Sequence, residues 1–325
     1  DGTSEAAYAG ELHWSPDSRR LVALRVEQHP ERKIHLVESS PKDQLQPKLH
    51  TIDYAKPGDP IARKQPRLFD VLERKPVPIA EGLFDNPWDL SEFHWSPDSR
   101  WFAFLYNQRG HQVLRVVGVD AATGQARSIV DEQSRTFVDY AGKLYLHYLD
   151  DSRELIWMSE RDGWNHLYLC DAETGQVKNP VTRGEWVVRG VEHVDTERRQ
   201  IWFRAGGIRP GQDPYFVHVA RVNFDGTGLT ILTEGNGTHR VAFSPDRRYL
   251  VDTWPPRLHP GTSRRPRARR RRLAGPGGLR GHRPRWRDRY LRRDLSPDAI
   301  QEGPPVPGHR GDLRRAAGRL RSQGN

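Results

Sequence analysis

Sulfur is nearly absent: the 325 residues hold one Cys (Cys170) and one Met (Met158). A single Cys excludes a disulfide framework and a cysteine-rich zinc site. No run of 18 apolar residues occurs, so no membrane span is expected. Gly-x-Ser-x-Gly, the turn that presents a serine nucleophile in α/β-hydrolases, does not occur. His-Glu-x-x-His is also missing and the 14 histidines are scattered, so the sequence calls for no metal and no cofactor. The chain opens on "DGTSEAAYAG", with no initiator Met, basic segment or apolar segment. It reads as an internal start, which leaves the compartment open.

Lysine is missing from one region only. Residues 255–325 hold 20 Arg, no Lys and 5 acidic residues, a net charge of +15. Residues 1–254 hold 32 basic and 37 acidic residues, a net charge of −5. The formal +10 therefore averages a mildly acidic body and a very basic tail.

The body repeats one phrase. "LHWSPDSRRLVALRV" (Leu12–Val26), "FHWSPDSRWFAFLYN" (Phe93–Asn107) and "VAFSPDRRYLVDTW" (Val241–Trp254) share a strand end, a Ser-Pro-Asp turn and an apolar run. Pro presets φ at the first corner, and Asp can accept bonds from the turn's own amides. The apolar runs are nearly continuous, as expected of strands covered on both faces. Weaker copies are "YLDDSRELIWMSE" (Tyr148–Glu160) and "HVDTERRQIWFRA" (His193–Ala205). Asp98, Asp151, Thr196 and Asp246 are spaced by 53, 45 and 50 residues, whereas Asp17 and Asp98 are 81 apart. That longer unit carries an insertion, placed within "SSPKDQLQPKLHTIDYAKPGDPIARKQP".

A period near 50 residues with several strands per unit marks a β-propeller blade. Hairpin signals at Asp162-Gly163, Thr174-Gly175, Asp225-Gly226 and Asn236-Gly237 agree. Three copies in register argue against a β-sandwich. The expected fold is all-β: a partial β-propeller of about five four-stranded, WD40-like blades over 1–254, with a disordered or irregular tail over 255–325. His13 and His94 are read as blade packing or surface, and Trp157, Trp164, Trp186 and Trp202 as packing between blades, rather than as ligand contacts. "NGT" at Asn236–Thr238 is a formal glycosylation acceptor that reads better as a turn.

Two further segments narrow the family. "MSERDGWNHLYLCDAETGQVKNPVTRGEWVV" (Met158–Val188) and "YAKPGDPIARKQPRLFDV" (Tyr54–Val71) resemble the propeller of dipeptidyl peptidase IV and its bacterial relatives in the prolyl oligopeptidase clan. The resemblance covers about residues 8–254. It implies a propeller that caps an α/β-hydrolase domain with a Ser-Asp-His triad and gates peptide substrates. It also implies a chain truncated relative to the full enzymes, whose propeller has eight blades. The family holds a substrate's amino terminus with two adjacent Glu. The matching region here offers Glu5 alone, which could bind an ammonium as a charge-assisted pair. No catalytic residue is assigned, and the chain alone is expected to be inactive. The competing class is a propeller that serves as a protein-interaction module, since unpaired strand edges invite partners.

The tail has three readings. Arg-rich segments bind nucleic acid, and Pro- and Gly-rich ones stay disordered. The third reading, a frameshift, is preferred, and nucleic acid is not the expected partner. Arg, Gly, Pro and Ala share GC-rich codons. Shifted by one base, permitted codons for "VPGHRGDLRRAAG" (Val306–Gly318) can spell a string resembling the family's passage into its hydrolase domain.

Overall fold

The computed structural model describes residues 7–254, apart from 9, 31 and 246, together with the backbone of 6 and 267–272. Two compact units divide the chain: 1–242 with 252–267, and 243–251 with 268–325. The larger unit is a partial β-propeller.

Its first blade orders Ala6–Tyr8, Arg20–Glu27, Arg63–Asp70 and Lys75–Val77, with His13–Trp14 also paired to Arg20–Glu27. The second blade is Pro87–Trp95, Trp101–Gln108, Val113–Asp120 and Ala126–Gln133 in consecutive antiparallel order. The third is Leu146–Leu149, Glu154–Ser159, His166–Asp171 and Val177–Pro180. The fourth is Val187–Asp195, Gln200–Gly206, Val217–Asn223 and Thr230–Ile231. Arg240–Phe243 and Tyr249–Trp254 follow, where a fifth blade would begin.

The core lies between blades. Along Trp101–Gln108, Phe102, Phe104 and Tyr106 pack with Val22, Leu68 and Leu90, toward the first blade. The alternate residues Ala103 and Leu105 pack with Leu155, Trp157 and Cys170 of the third. Ile156 and Met158 then meet Ile201 and Phe203 of the fourth. Side chains alternate faces with period two. A strand packed on both faces must therefore be apolar throughout, which explains the unbroken apolar runs.

The Ser-Pro-Asp turn closes the first two strands of a blade. The Ser96 amide donates to the Trp101 carbonyl (2.9 Å), and the Trp101 amide donates to Ser96 Oγ (3.1 Å). Ser96 Oγ donates to Asp98 Oδ1 (2.8 Å), which also accepts from the Arg100 amide (3.2 Å). Ser15, Asp17 and Arg19 repeat this pattern, and the Ser15 hydroxyl and Arg19 amide hold the Asp17 carboxyl below its ordinary range. In the smaller unit, Ser244 and Tyr249 exchange the equivalent bonds, while Asp246 lies outside the described residues. The residue at the next corner is left-handed in all five turns: Ser18, Ser99, Arg153, Arg199 and Arg247 have φ of 52–60°.

A second repeated turn docks each blade on the one before. Asp120 Oδ1 accepts from the Ala122 and Thr123 amides, and Asp171 Oδ1 from the Glu173 and Thr174 amides. Gly124 and Gly175 follow at φ near +72°, and a Cβ on either would overlap a carbonyl oxygen of the preceding blade, Pro78 or Ile129. Only glycine satisfies both demands.

Two expectations need correction. The insertion starts earlier than the sequence suggests: its hairpin is Lys33–Glu38 with Lys48–Asp53. The early half was misplaced because "KIHLVE" reads as an ordinary blade strand. Trp164 does not pack between blades. It is 40 % exposed in the loop before His166–Asp171, whereas Trp157, Trp186 and Trp202 are buried as expected.

Candidate functional site: the first strands and the two ends of the blades

The first strand of a blade pairs on one edge only, and in a radial array its free edge borders the axis. In the second and fourth blades this strand is doubly bulged. Its register breaks between Pro87 and Asp89 and between Ser91 and His94. In the fourth blade it breaks between Val188 and Gly190 and between Val191 and His193. Bulges leave residues unpaired and re-aim their side chains. Trp88, Glu92, Arg189 and Glu192 sit at these breaks and are exposed. Glu92 has φ +51°, and Glu192 pairs with Arg204 (2.6 Å). No periodic signal in the sequence marks these breaks.

At the Ser-Pro-Asp end, a cavity of about 270 Å³ opens between the second and third blades. Trp101 and Leu149 supply apolar lining, and Asp98, Asp150, Asp151, Glu154 and Glu173 supply carboxylates beside Arg100 and Arg153. Three of these five carboxylates have partners on the chain. Asp98 takes Arg100 (2.6 Å), Asp150 takes His94 (2.9 Å), and Glu154 takes Lys178 and Arg199 (2.9 Å each).

At the other end of the second blade, aromatic rings converge. Trp88 meets His111 edge-on (5.3 Å), His111 stacks on Tyr140 (4.4 Å), and Phe137 lies 5.7 Å from His111. Asn107 Oδ1 holds His111 Nδ1 at 3.0 Å, and burial keeps the imidazole below its usual pKa.

His13 stacks on Phe93 (4.5 Å), and His94 stacks on Tyr148 (3.9 Å), so both act as packing between blades, as the sequence predicts. Sequence reasoning missed a buried histidine pair. His166 Nδ1 meets Thr182 Oγ1 (3.0 Å), and His166 Nε2 donates to the Gly184 carbonyl (2.9 Å). His218 Nδ1 meets Thr233 Oγ1 (3.1 Å), and its Nε2 donates to Gln212 Oε1 (2.8 Å). The signal was available as His followed by Thr 16 and 15 residues later, each Thr two residues before a Gly. The "TRGEW" run is thereby a structural device. Among the described residues no group of three or more His, Cys, Asp or Glu converges as for a metal. No helix there is long and apolar enough to cross a membrane. Glu5 lies outside the described residues.

These bulged first strands, interlocked blades and repeated turns coincide with one family model. The dipeptidyl peptidase IV (DPP IV) N-terminal region matches residues 8–260. The chain belongs to this family. A curated relative from Emericella nidulans, named "Probable dipeptidyl peptidase 4", is 32% identical over 98 residues, covering 27% of this chain and 12% of that protein. A relative of the same name from Aspergillus flavus is 26% identical over 120 residues, covering 35% and 15%. The crystal structure of Porphyromonas gingivalis dipeptidyl peptidase 4 superposes with a TM-score of 0.57 at 20% identity, covering 75% of this chain and 33% of that one. At that identity the superposition speaks for the fold. The chain spans about an eighth of the curated relatives' length and a third of the solved structure's.

Proposed function

We propose that this chain is the substrate-gating propeller portion of a dipeptidyl peptidase IV-like serine peptidase. The family match over residues 8–260 carries the reading. The 325 residues contain no Gly-x-Ser-x-Gly, so hydrolysis falls to an α/β-hydrolase domain that this sequence does not encode. The propeller's share is to admit and orient short peptides. In this reading residues 1–254 are the propeller, residues 255–325 are a separate tail, and Glu5 holds the substrate's ammonium. A propeller built this way binds a tripeptide with a free amino terminus more tightly than its N-acetylated form, and Glu5→Gln removes the difference. Equal binding of the two peptides overturns the gating role. A fluorogenic dipeptide assay on the purified chain is expected to show no turnover; turnover that survives removal of contaminants overturns the division of labour. The frameshift is tested by the nucleotide sequence beyond codon 254: no hydrolase-like frame there overturns it.

A further inference from the structure

The third and fourth blades carry the same buried imidazole in different surroundings. In the third, the Thr182 hydroxyl accepts the Leu167 amide (2.9 Å) and meets His166 Nδ1 (3.0 Å), while the Gly184 carbonyl, which can only accept, takes the Nε2 proton. Both ring nitrogens of His166 are thus bonded, and a further neighbour is the indole of Trp186 (4.8 Å). In the fourth, Thr233 accepts the Val219 amide (3.1 Å) and meets His218 Nδ1, while Gln212 Oε1 accepts from Nε2. Both ring nitrogens of His218 are likewise bonded, and burial keeps the imidazole neutral by lowering its pKa. Its neighbour, however, is a second imidazole. His239 lies 4.7 Å from His218 and 5.0 Å from Trp254, so three mutually tilted rings form a cluster. His239 Nδ1 meets both Asp252 oxygens at 2.9 Å, and its Nε2 is buried with no hydrogen-bond partner. Asp252 is itself buried. The groups facing His218 are His239, Asp252 and, from the loop before its strand, Arg209, whose guanidinium donates to the Thr233 carbonyl (2.8 Å).

We propose that this ring cluster is an acid-sensitive latch, closed while His218 is neutral and opened when a proton is forced onto it. The one carboxylate in the site already serves His239, and Arg209 opposes any further positive charge. A proton on His218 would also need Thr233 to stop donating and would leave the charge without an acidic partner. Opening exposes both rings to water and releases His239, with its partners Asp252 and Trp254, from His218. His166 has no such neighbours, so the latch is specific to the end of the fourth blade.

The sign follows from burial. Burial, then His239 and Arg209, lower the His218 pKa from 6.5 to about 4. The closed form is therefore fully favoured above pH 6.5 and loses ground as pH falls from 6.5 toward 4. Those two values raise the opening constant by about twentyfold between pH 7 and pH 5.

Amide exchange read by mass spectrometry on the full chain, corrected for the intrinsic rate at each pH, tests this. The Val219 and His239 amides, bonded to Thr233 and the Val217 carbonyl, are expected to lose protection by about that factor at pH 5. The Leu167 amide of the third blade, and the Val188 amide bonded to the Asn165 carbonyl beside that blade, serve as controls and hold theirs. His218→Gln should abolish the pH dependence. Should that variant fail to fold, Asp252→Asn gives the second arm, with opening moved to higher pH or complete at pH 7. Equal loss in both blades, pH dependence that persists in His218→Gln, or an unmoved midpoint in Asp252→Asn overturns the latch.

Discussion

Two ladders in this molecule have equal length and opposite surroundings. Glu154–Ser159 pairs six residues with His166–Asp171, and Lys33–Glu38 pairs six with Lys48–Asp53. All six residues of Glu154–Ser159 are buried, whereas five of six are exposed in each strand of the Lys33–Asp53 hairpin. Leu36, Val37, Leu49 and Ile52 stand in solvent there. Backbone hydrogen bonding is the same in kind, so it cannot account for a difference in stability. Exchange of water for protein partners makes such bonds worth little net. Burial of apolar faces contributes more, and a two-stranded ladder without it is marginal. The blades hold because they pack against each other.

The sharpest test alters that contact directly. Gly175→Ala forces a Cβ into the Ile129 carbonyl at φ +73° and is expected to cost about 3 kcal/mol or more, or to prevent folding. Gly58→Ala, just after the exposed hairpin, has φ +92° but open space, so only the left-handed strain of about 1 kcal/mol remains. Denaturant midpoints compare the two. Equal costs would mean that docking between blades adds nothing.

Side-chain truncation comes next. Ile156→Ala should cost about 3 kcal/mol, in the range for buried Ile. Leu49→Ala, at 63 % exposure, should change stability by less than about 0.5 kcal/mol. A larger loss at Leu49 would show that the hairpin is covered in solution, which would break the contrast.

Charge sharpens it further. Burial pushes the Glu154 carboxyl up, but hydrogen bonds from Lys178, Ser152 and Arg199 outweigh it and leave its pKa below the ordinary value. A depressed carboxylate stabilises the fold above its unfolded pKa and loses that contribution as pH falls through the folded one. Glu154→Gln should therefore cost about 2 kcal/mol near pH 7 and progressively less under acid, because the buried pair is lost. Lys33→Ala, which removes an exposed pair with Asp53, should cost about 0.5 kcal/mol or less at any pH. Urea titrations at several pH values separate the two.

Much of the blade scaffold could be read from residues alone, because Ser-Pro-Asp and the apolar runs act through nearest neighbours in sequence. Ser96, Asp98 and Trp101 bond within five residues of one another. What escaped depends on distant partners. The His166–Thr182 and His218–Thr233 pairs join a strand to the segment just after the next one, and a lone histidine carries no periodic mark. The bulges at Glu92 and Glu192 are breaks of register, visible only when the partner strand is known. The "KIHLVE" strand has a blade-like composition yet lies exposed, since propensity does not report whether a neighbour covers it. Of the candidate site, the packing roles of His13 and His94 were legible, the cavity and the aromatic cluster were not, and Glu5 is outside the described residues.

The smallest expected effect has the opposite sign. Arg153 holds φ +53° at the corner of a weak turn copy, where an L-residue is strained by about 1–2 kcal/mol. Arg153→Gly removes that strain but gives the unfolded chain more freedom, worth about 0.5–1 kcal/mol. A net stabilisation of about 0.5 kcal/mol is expected, seen as a small rise in the denaturant midpoint with an unchanged slope. Ser99 occupies the same corner at φ +60°, but its Oγ also accepts the Asp17 amide of the neighbouring blade at 3.1 Å. Ser99→Gly relieves the same strain and forfeits that bond, so it should come out neutral or slightly destabilising. The two glycines thus divide the turn's own geometry from its contact with the next blade. If Arg153→Gly instead destabilises by more than about 1 kcal/mol, the arginine side chain, which lines the cavity between the second and third blades, holds those blades together. The weak copy would then belong with the packed regions rather than the exposed ones.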